Sequence, residues 1–187
     1  MKHYASTCLA VLALLFAISI STGAQEQGPK SAPSVPAARP QDVDTLDHIM
    51  AAVYDVISGP AGLRDWDRFR SLFYSGARLI ATWRDDKGNI QCKDMSPDDY
   101  AKMGAAYFEK NAFFENALAN RVELWDRMAH VWSTYESRHA KGEKPFARGI
   151  NSFQLFFDGA RWWVLTIYWE DESASTPLPE KYLTSVK

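Results

Sequence analysis

The sequence predicts an α+β domain with its helices gathered on one face of an antiparallel sheet. Three observations carry that expectation. The elements run helix, helix, short strand pair, helix, and only then a series of long strands. The chain approaches its end through FARGINSFQLFFDGARWWVLTIYWEDE, Phe146 to Glu172, two β-rich runs around Asp158-Gly159. Asp-Gly tolerates the positive φ of a tight hairpin turn. The second run, Trp162 to Trp169, is apolar on both faces, so both must be covered, whereas a solvated hairpin alternates with polar residues.

The chain opens with MKHYASTCLAVLALLFAISISTGA, which has the layout of a secretory signal. Lys2 and His3 make a basic start, Ala5 to Ile20 an apolar core, and Thr22-Gly23-Ala24 a small-residue cleavage site. An apolar core of about 16 residues is short for a membrane span, which needs ~20. Residues 1–24 are therefore read as a signal peptide, with the mature protein exported to the periplasm or secreted and not membrane-bound. Cys8 lies at the front of the apolar core, away from the cleavage point, which argues against a lipoprotein. Removing residues 1–24 from the 187 leaves 163, enough for one domain with one core. Lys2 is the only formal charge lost, so net charge moves from −2 to −3. Nothing here is basic enough to attract nucleic acid or an anionic membrane. Cys92 is then the only cysteine, which excludes an intramolecular disulfide and favours a small packed residue.

Gln25 to Gln41, QEQGPKSAPSVPAARPQ, holds four prolines and one sizeable apolar residue, Val35. Such a stretch cannot offset its ordering entropy, so residues 25–41 read as a disordered linker. The domain is expected over residues 42–172, with a C-terminal tail over 173–187.

Asp42 to Ser58 has Leu46, Ile49, Met50, Val53 and Ile57 at helical spacing, with Asp42 or Asp44 as cap and Gly59-Pro60 as stop. A second helix is expected from Asp65 to Tyr74, burying Trp66, Phe69, Leu72 and Phe73, with Gly76 as its terminator. Arg78 to Arg84 reads as a strand, turned by Asp86 to Asn89 toward a partner at Ile90 to Cys92. Ser96-Pro97-Asp98-Asp99 starts a helix through side-chain capping, a proline where the missing N–H costs nothing, and acids at the positive dipole end. Tyr100, Met103, Tyr107 and Phe108 form its expected buried side. Phe113 to Trp125 mixes helical composition with strand-like alternation at Val122 and Leu124. We read it as a strand because Met128 to Arg138, itself a strand, needs a neighbour. The tail is irregular, with Leu178, Tyr182 and Leu183 available to dock it.

This order, the segment WDRFRSLFYSGARL and the closing DGARWWVLTIYW resemble the nuclear transport factor 2-like superfamily, including its SnoaL-like members. The resemblance covers most of residues 42–171 and rests on pattern more than on fixed residues. It implies a curved sheet wrapped as a cone around about three helices, with a pocket at the wide end. Ketosteroid isomerase-like members pair a tyrosine on the first helix with acids on the sheet. Tyr54 is similar in position, but Tyr74 to Leu79 offers Arg78 and no carboxylate, a departure that counts against isomerase chemistry. Scytalone dehydratase-like members use a tyrosine pair, a histidine and an aspartate, for which only single candidates stand out.

No metal-ligand spacing, nucleophile elbow, phosphate loop or dinucleotide fingerprint occurs, and neither metal nor cofactor is expected. Strand parity groups Asn151, Phe153, Leu155, Phe157, Trp162, Val164, Thr166, Tyr168 and Glu170 on one face, apolar near the turn and polar far from it. Ligand-lining residues are accordingly expected to be Tyr54, Trp66, Asn151, Thr166 and Tyr168. On the preceding strand His130, Trp132, Thr134 and Glu136 share a face opposite Ala129, Val131, Ser133 and Tyr135. If the His130 face points inward, His130 becomes an acid/base candidate. The catalytic candidates are His130, Tyr54 and Glu170.

Two readings follow. One is an exported protein binding a small, partly apolar molecule. The other is a cofactor-free lyase, isomerase or cyclase. Two convergent titratable groups with displaced pKa values would favour the enzyme, and a dry aromatic cavity without them the binder. Opposite the expected pocket, Ile150, Ser152, Gln154, Phe156, Trp163, Leu165, Ile167 and Trp169 form a second, largely apolar face. That face predicts a homodimer through the sheet, unless the tail covers it within one chain.

Overall fold

The computed structural model of the protein describes residues 35–186. The segment expected as a signal peptide and most of the expected linker lie outside the described residues. Among the described residues no helix is long and apolar enough to cross a membrane.

The first helical segment is two helices. α1 (Pro40–Val43) stops at Asp44, and Thr45 caps α2 (Leu46–Ile57) by accepting from His48 N at 3.1 Å. Neither Asp42 nor Asp44 caps α2. Asp42 is buried, and both of its carboxylate oxygens accept from Arg68, at 2.8 and 3.0 Å. Helical order therefore begins two residues before Asp42.

α3 (Trp66–Ser71) is shorter than expected, with Asp65 accepting from Arg68 N as its cap. The chain enters β1 (Phe73–Arg84) directly. Gly76 does not end a helix; it has φ +82° within a register shift between Phe73 and Arg78. Glycine supplies that left-handed conformation without a Cβ clash.

β2 (Ile90–Met95) pairs with β1, and α4 (Pro97–Phe108) begins with a capping box between Ser96 and Asp99. Its buried side is Ala101, Gly104 and Phe108; Met103 and Tyr107 are exposed, contrary to expectation. At Gly104 an added Cβ would stand 3.1 Å from Trp66 and 3.0 Å from Phe108. The helix thus approaches α3 through its small residues.

β3 (Phe114–Trp125), β4 (Met128–Arg138), β5 (Ala147–Phe157) and β6 (Trp162–Asp171) complete a curved sheet in the order β2-β1-β6-β5-β4-β3. Four of its neighbour pairs are antiparallel and one, β1 with β6, is parallel, so the sheet is mixed. The fold is α+β, with the helices packed on the concave face.

The core lies between the helices and that face. Phe69, Leu72, Phe73, Val131, Phe153, Leu155 and Val164 are almost completely buried, each stabilising by roughly 1.5–3 kcal/mol relative to exposure.

On the convex face a short 3₁₀ turn, Glu180–Tyr182, docks the tail. The Tyr182 ring packs on Trp132 at 5.6 Å, Thr134 Oγ1 donates to Tyr182 O at 2.6 Å, and Val186 exchanges backbone hydrogen bonds with Asn120 and Val122. The tail thus covers part of the convex face and caps the exposed edge of β3.

Candidate functional site

Between the helices and the concave sheet lies a cavity of about 210 Å³. It is lined by apolar side chains (Val53, Ile57, Phe69, Leu79, Phe153) together with polar ones (Glu115, Tyr135, Ser137, Asn151, Asp171). A wider groove of about 830 Å³ lies alongside, between α2, β3 and the 141–143 loop; Tyr54 and Glu115 line both.

Glu115 is placed by the end of α2. Gly59 and Phe113 exchange backbone hydrogen bonds at 2.7 and 3.0 Å. Ser58 then accepts from Glu115 N and donates to Tyr54 O and Glu115 O. This stitching fixes the first residues of β3 and sets Glu115 opposite Ser137 across the β3–β4 pair. Ser137 Oγ donates to Glu115 Oε2 at 2.7 Å. Burial pushes the Glu115 carboxyl from 4.5 up to about 7, the Ser137 bond partly opposing and the Asp171 charge adding to the rise. The acid is therefore poised between its two forms near neutral pH.

Two tyrosine clusters face it. Tyr54 Oη accepts from Asn151 Nδ2 at 3.0 Å and sits 2.6 Å from Ser133 Oγ. Tyr135 Oη donates to Asp171 Oδ1. Burial raises both phenols well above their ordinary value of 10.0, helped by the nearby Glu115 charge for Tyr54 and mainly the Asp171 charge for Tyr135. Both remain protonated donors at neutral pH. Gly149 makes room for this arrangement, since a Cβ there would stand 2.5 Å from Tyr135 Oη and 2.4 Å from Glu170 O. Among the described residues, no cluster of three or more His, Cys, Asp or Glu side chains could hold a metal ion.

Of the residues singled out from sequence, the cavity contains Tyr54 and Asn151. Trp66 does not line it and packs instead against Phe69 and Phe108. Thr166, Tyr168 and Glu170 are corrected to the convex face. The β5–β6 pairing shifts register between Gln154/Thr166 and Leu155/Val164, leaving Leu165 as an extra residue. Beyond that bulge the parity of β6 reverses, so Ile167, Trp169 and Asp171 line the cavity. The same shift removes Ile167 and Trp169 from the proposed convex patch.

His130 is also on the convex face, with Nε2 3.0 Å from Ser152 Oγ and Nδ1 3.8 Å from Glu123; Ala129, Val131, Ser133 and Tyr135 point inward. Arg78, at the position where the isomerase comparison wanted an acid, is engaged with Asp94 at 2.7 Å. Sequence reasoning missed Glu115, Tyr135, Ser137 and Asp171. Two signals pointed to them: the Ser133/Tyr135 parity face, and Gly149 in mid-strand, where a missing side chain marks a close approach.

No family model matches the sequence, and no curated protein does. Solved structures do. A protein of unknown function with a cystatin-like fold from Nostoc punctiforme PCC 73102 is 11% identical, with a TM-score of 0.51 over 66% of this chain and 86% of its own. The Kfla4162 protein from Kribbella flavida is 12% identical, with a TM-score of 0.50 over 68% and 88%. The fold shared with the first of these is cystatin-like, a curved mixed sheet wrapped on helices. A nuclear transport factor 2-like protein of unknown function from Pseudomonas putida KT2440 also matches, at 10% identity and TM-score 0.48, over 70% of this chain and 84% of its own. At such identities the likeness is one of fold alone. What the cone does rests on its own residues.

Proposed function

We propose that the cone binds a small, partly apolar molecule and carries out proton transfer on it without a cofactor. The observation behind this reading is the convergence, in one largely apolar cavity, of a carboxyl held near pH 7 with two protonated phenols. In its ionised form Glu115 is a general base. Tyr54, held by Asn151 and Ser133, is a donor able to stabilise an oxyanion that forms as the proton leaves, while Tyr135 gives its one O–H to Asp171. Apolar walls exclude water and strengthen each of these interactions.

One observation favours simple binding instead: the polar side chains are already hydrogen-bonded to one another, Tyr54 with Asn151, Tyr135 with Asp171, and Glu115 with Ser137. The neutral carbon acid 5-nitrobenzisoxazole, which ring-opens when a base removes its proton, separates the two. The catalytic reading expects acceleration that rises with pH through about 7 and falls roughly 100-fold or more in Glu115→Gln. A bound probe that reacts no faster than in buffer, or a Glu115→Gln variant as active as wild type, leaves only the binder.

Export and pairing complete the proposal. N-terminal sequencing of exported protein should give Gln25, and an intact Met1 in a membrane fraction would contradict it. A homodimer would use the part of the convex face outside the tail, around Tyr74, Phe156 and Trp163, whose rings pack on one another. Light scattering should show a dimer that Trp163→Glu dissociates, and a monomeric wild type at micromolar concentration removes it.

A further inference from the structure

The charge of the cavity narrows the ligand. Glu115 and Asp171 line it, and none of the described residues that line it is Lys, Arg or His. The cations nearest in the adjoining groove are engaged elsewhere: Arg138 pairs with Glu136, and Lys141 lies 5.9 Å over the Phe114 ring. An anionic ligand would meet two acids and no counter-charge. Eight aromatic side chains join these acids in the lining, and four of them form two pairs. Tyr100 and Trp169 meet edge to face at 6.4 Å, and Phe113 and Phe146 meet at a tilt with centroids 6.1 Å apart. Ring faces carry negative electrostatic potential and attract cations, most strongly where water is excluded. The Glu115 carboxylate accepts a hydrogen bond from neutral Ser137 and gains more from an organic cation than from a neutral guest.

We infer that the cone's ligand is a small organic ammonium compound, its cationic head held among Tyr100, Phe113, Phe146 and Trp169 against Glu115. The inference rests on the cone cavity being the ligand site. Carboxylates, phosphates and nucleotide-linked acyl groups are excluded as ligands of this cavity by the same charge argument.

Three probes of nearly equal shape separate charge from size: choline, uncharged 3,3-dimethylbutan-1-ol and anionic 3,3-dimethylbutanoate. Calorimetric titration of the mature protein should show choline binding at least tenfold tighter than the alcohol, with the carboxylate weakest. Glu115→Gln and Trp169→Leu should each weaken choline by tenfold or more. Alcohol or carboxylate binding as tight as choline, or no choline binding, overturns the inference. A neutral benzisoxazole still turned over under those results would leave the proton-transfer reading standing, so the two failures are distinguishable.

Discussion

Replacing Glu115 by Gln should change how the stability of this protein depends on pH. In the folded protein burial holds the Glu115 proton up to about 7, against 4.5 for an ordinary glutamate. A carboxyl whose folded pKa is raised gives its full stability below the unfolded value and loses it as pH rises through the folded one. At about 1.4 kcal/mol per pKa unit the loss is roughly 3 kcal/mol, spread between pH 4.5 and 7. Gln keeps the shape and an acceptor for Ser137 but cannot ionise. Its extra NH₂, left without an acceptor, takes back about 1 kcal/mol. The variant should therefore be about 2 kcal/mol more stable than wild type at pH 8 and slightly less stable at pH 4.5. Asp42 works in the opposite sense, because Arg68 lowers its pKa below 3.8, so its contribution fades only in more acidic solution. Urea unfolding at half-unit pH steps measures both curves. Parallel curves for wild type and Glu115→Gln would refute the buried, raised carboxyl.

Other changes have equally definite outcomes. Gly149→Ala forces a Cβ to within 2.4 Å of Glu170 O and 2.5 Å of Tyr135 Oη; it should cost about 2–3 kcal/mol and loosen the Tyr135–Asp171 pair, while Gln154→Ala, at an exposed position, should be nearly neutral in the same denaturation assay. Arg68→Ala strands the buried Asp42 carboxylate and unties α3 from α1 and α2; thermal denaturation should report a loss of about 3 kcal/mol. Truncation after Thr176 removes the cover over Trp132 and Thr134; it should cost roughly 2 kcal/mol and red-shift tryptophan emission without unfolding the sheet.

Much of the fold was legible because its signals are local. The Ser96-Pro97-Asp98-Asp99 start, the Asp158-Gly159 turn and the long runs of β4 to β6 each carry their own chemistry, whereas β3 was legible only as the neighbour that β4 requires. The break at Asp44 was not, because Thr45 competes with two aspartates for the same capping role and Arg68, distant in sequence, claims Asp42. α3 ended early for a similar reason: Leu72 and Phe73 suit helix or strand, and pairing with β6 decides. The site was half legible. Tyr54 and Asn151 lie on α2 and β5, where periodicity holds without interruption. Thr166, Tyr168 and Glu170 were misplaced because one extra residue, Leu165, reverses every side chain after it. A run that is apolar on both faces hides such a bulge, since either parity looks equally buried. Glu115 was missed because its burial depends on the hydrogen bonds of Ser58 and Gly59 from a distant helix end.

The central claim, an acid poised near neutrality inside the cone, is most directly tested by carbon NMR. Protein labelled at the glutamate carboxyl carbon would be titrated from pH 4 to 9, with Glu115→Gln assigning the resonance. A Glu115 midpoint near 7 is expected, well separated from the exposed glutamates. A midpoint below about 5 would contradict it.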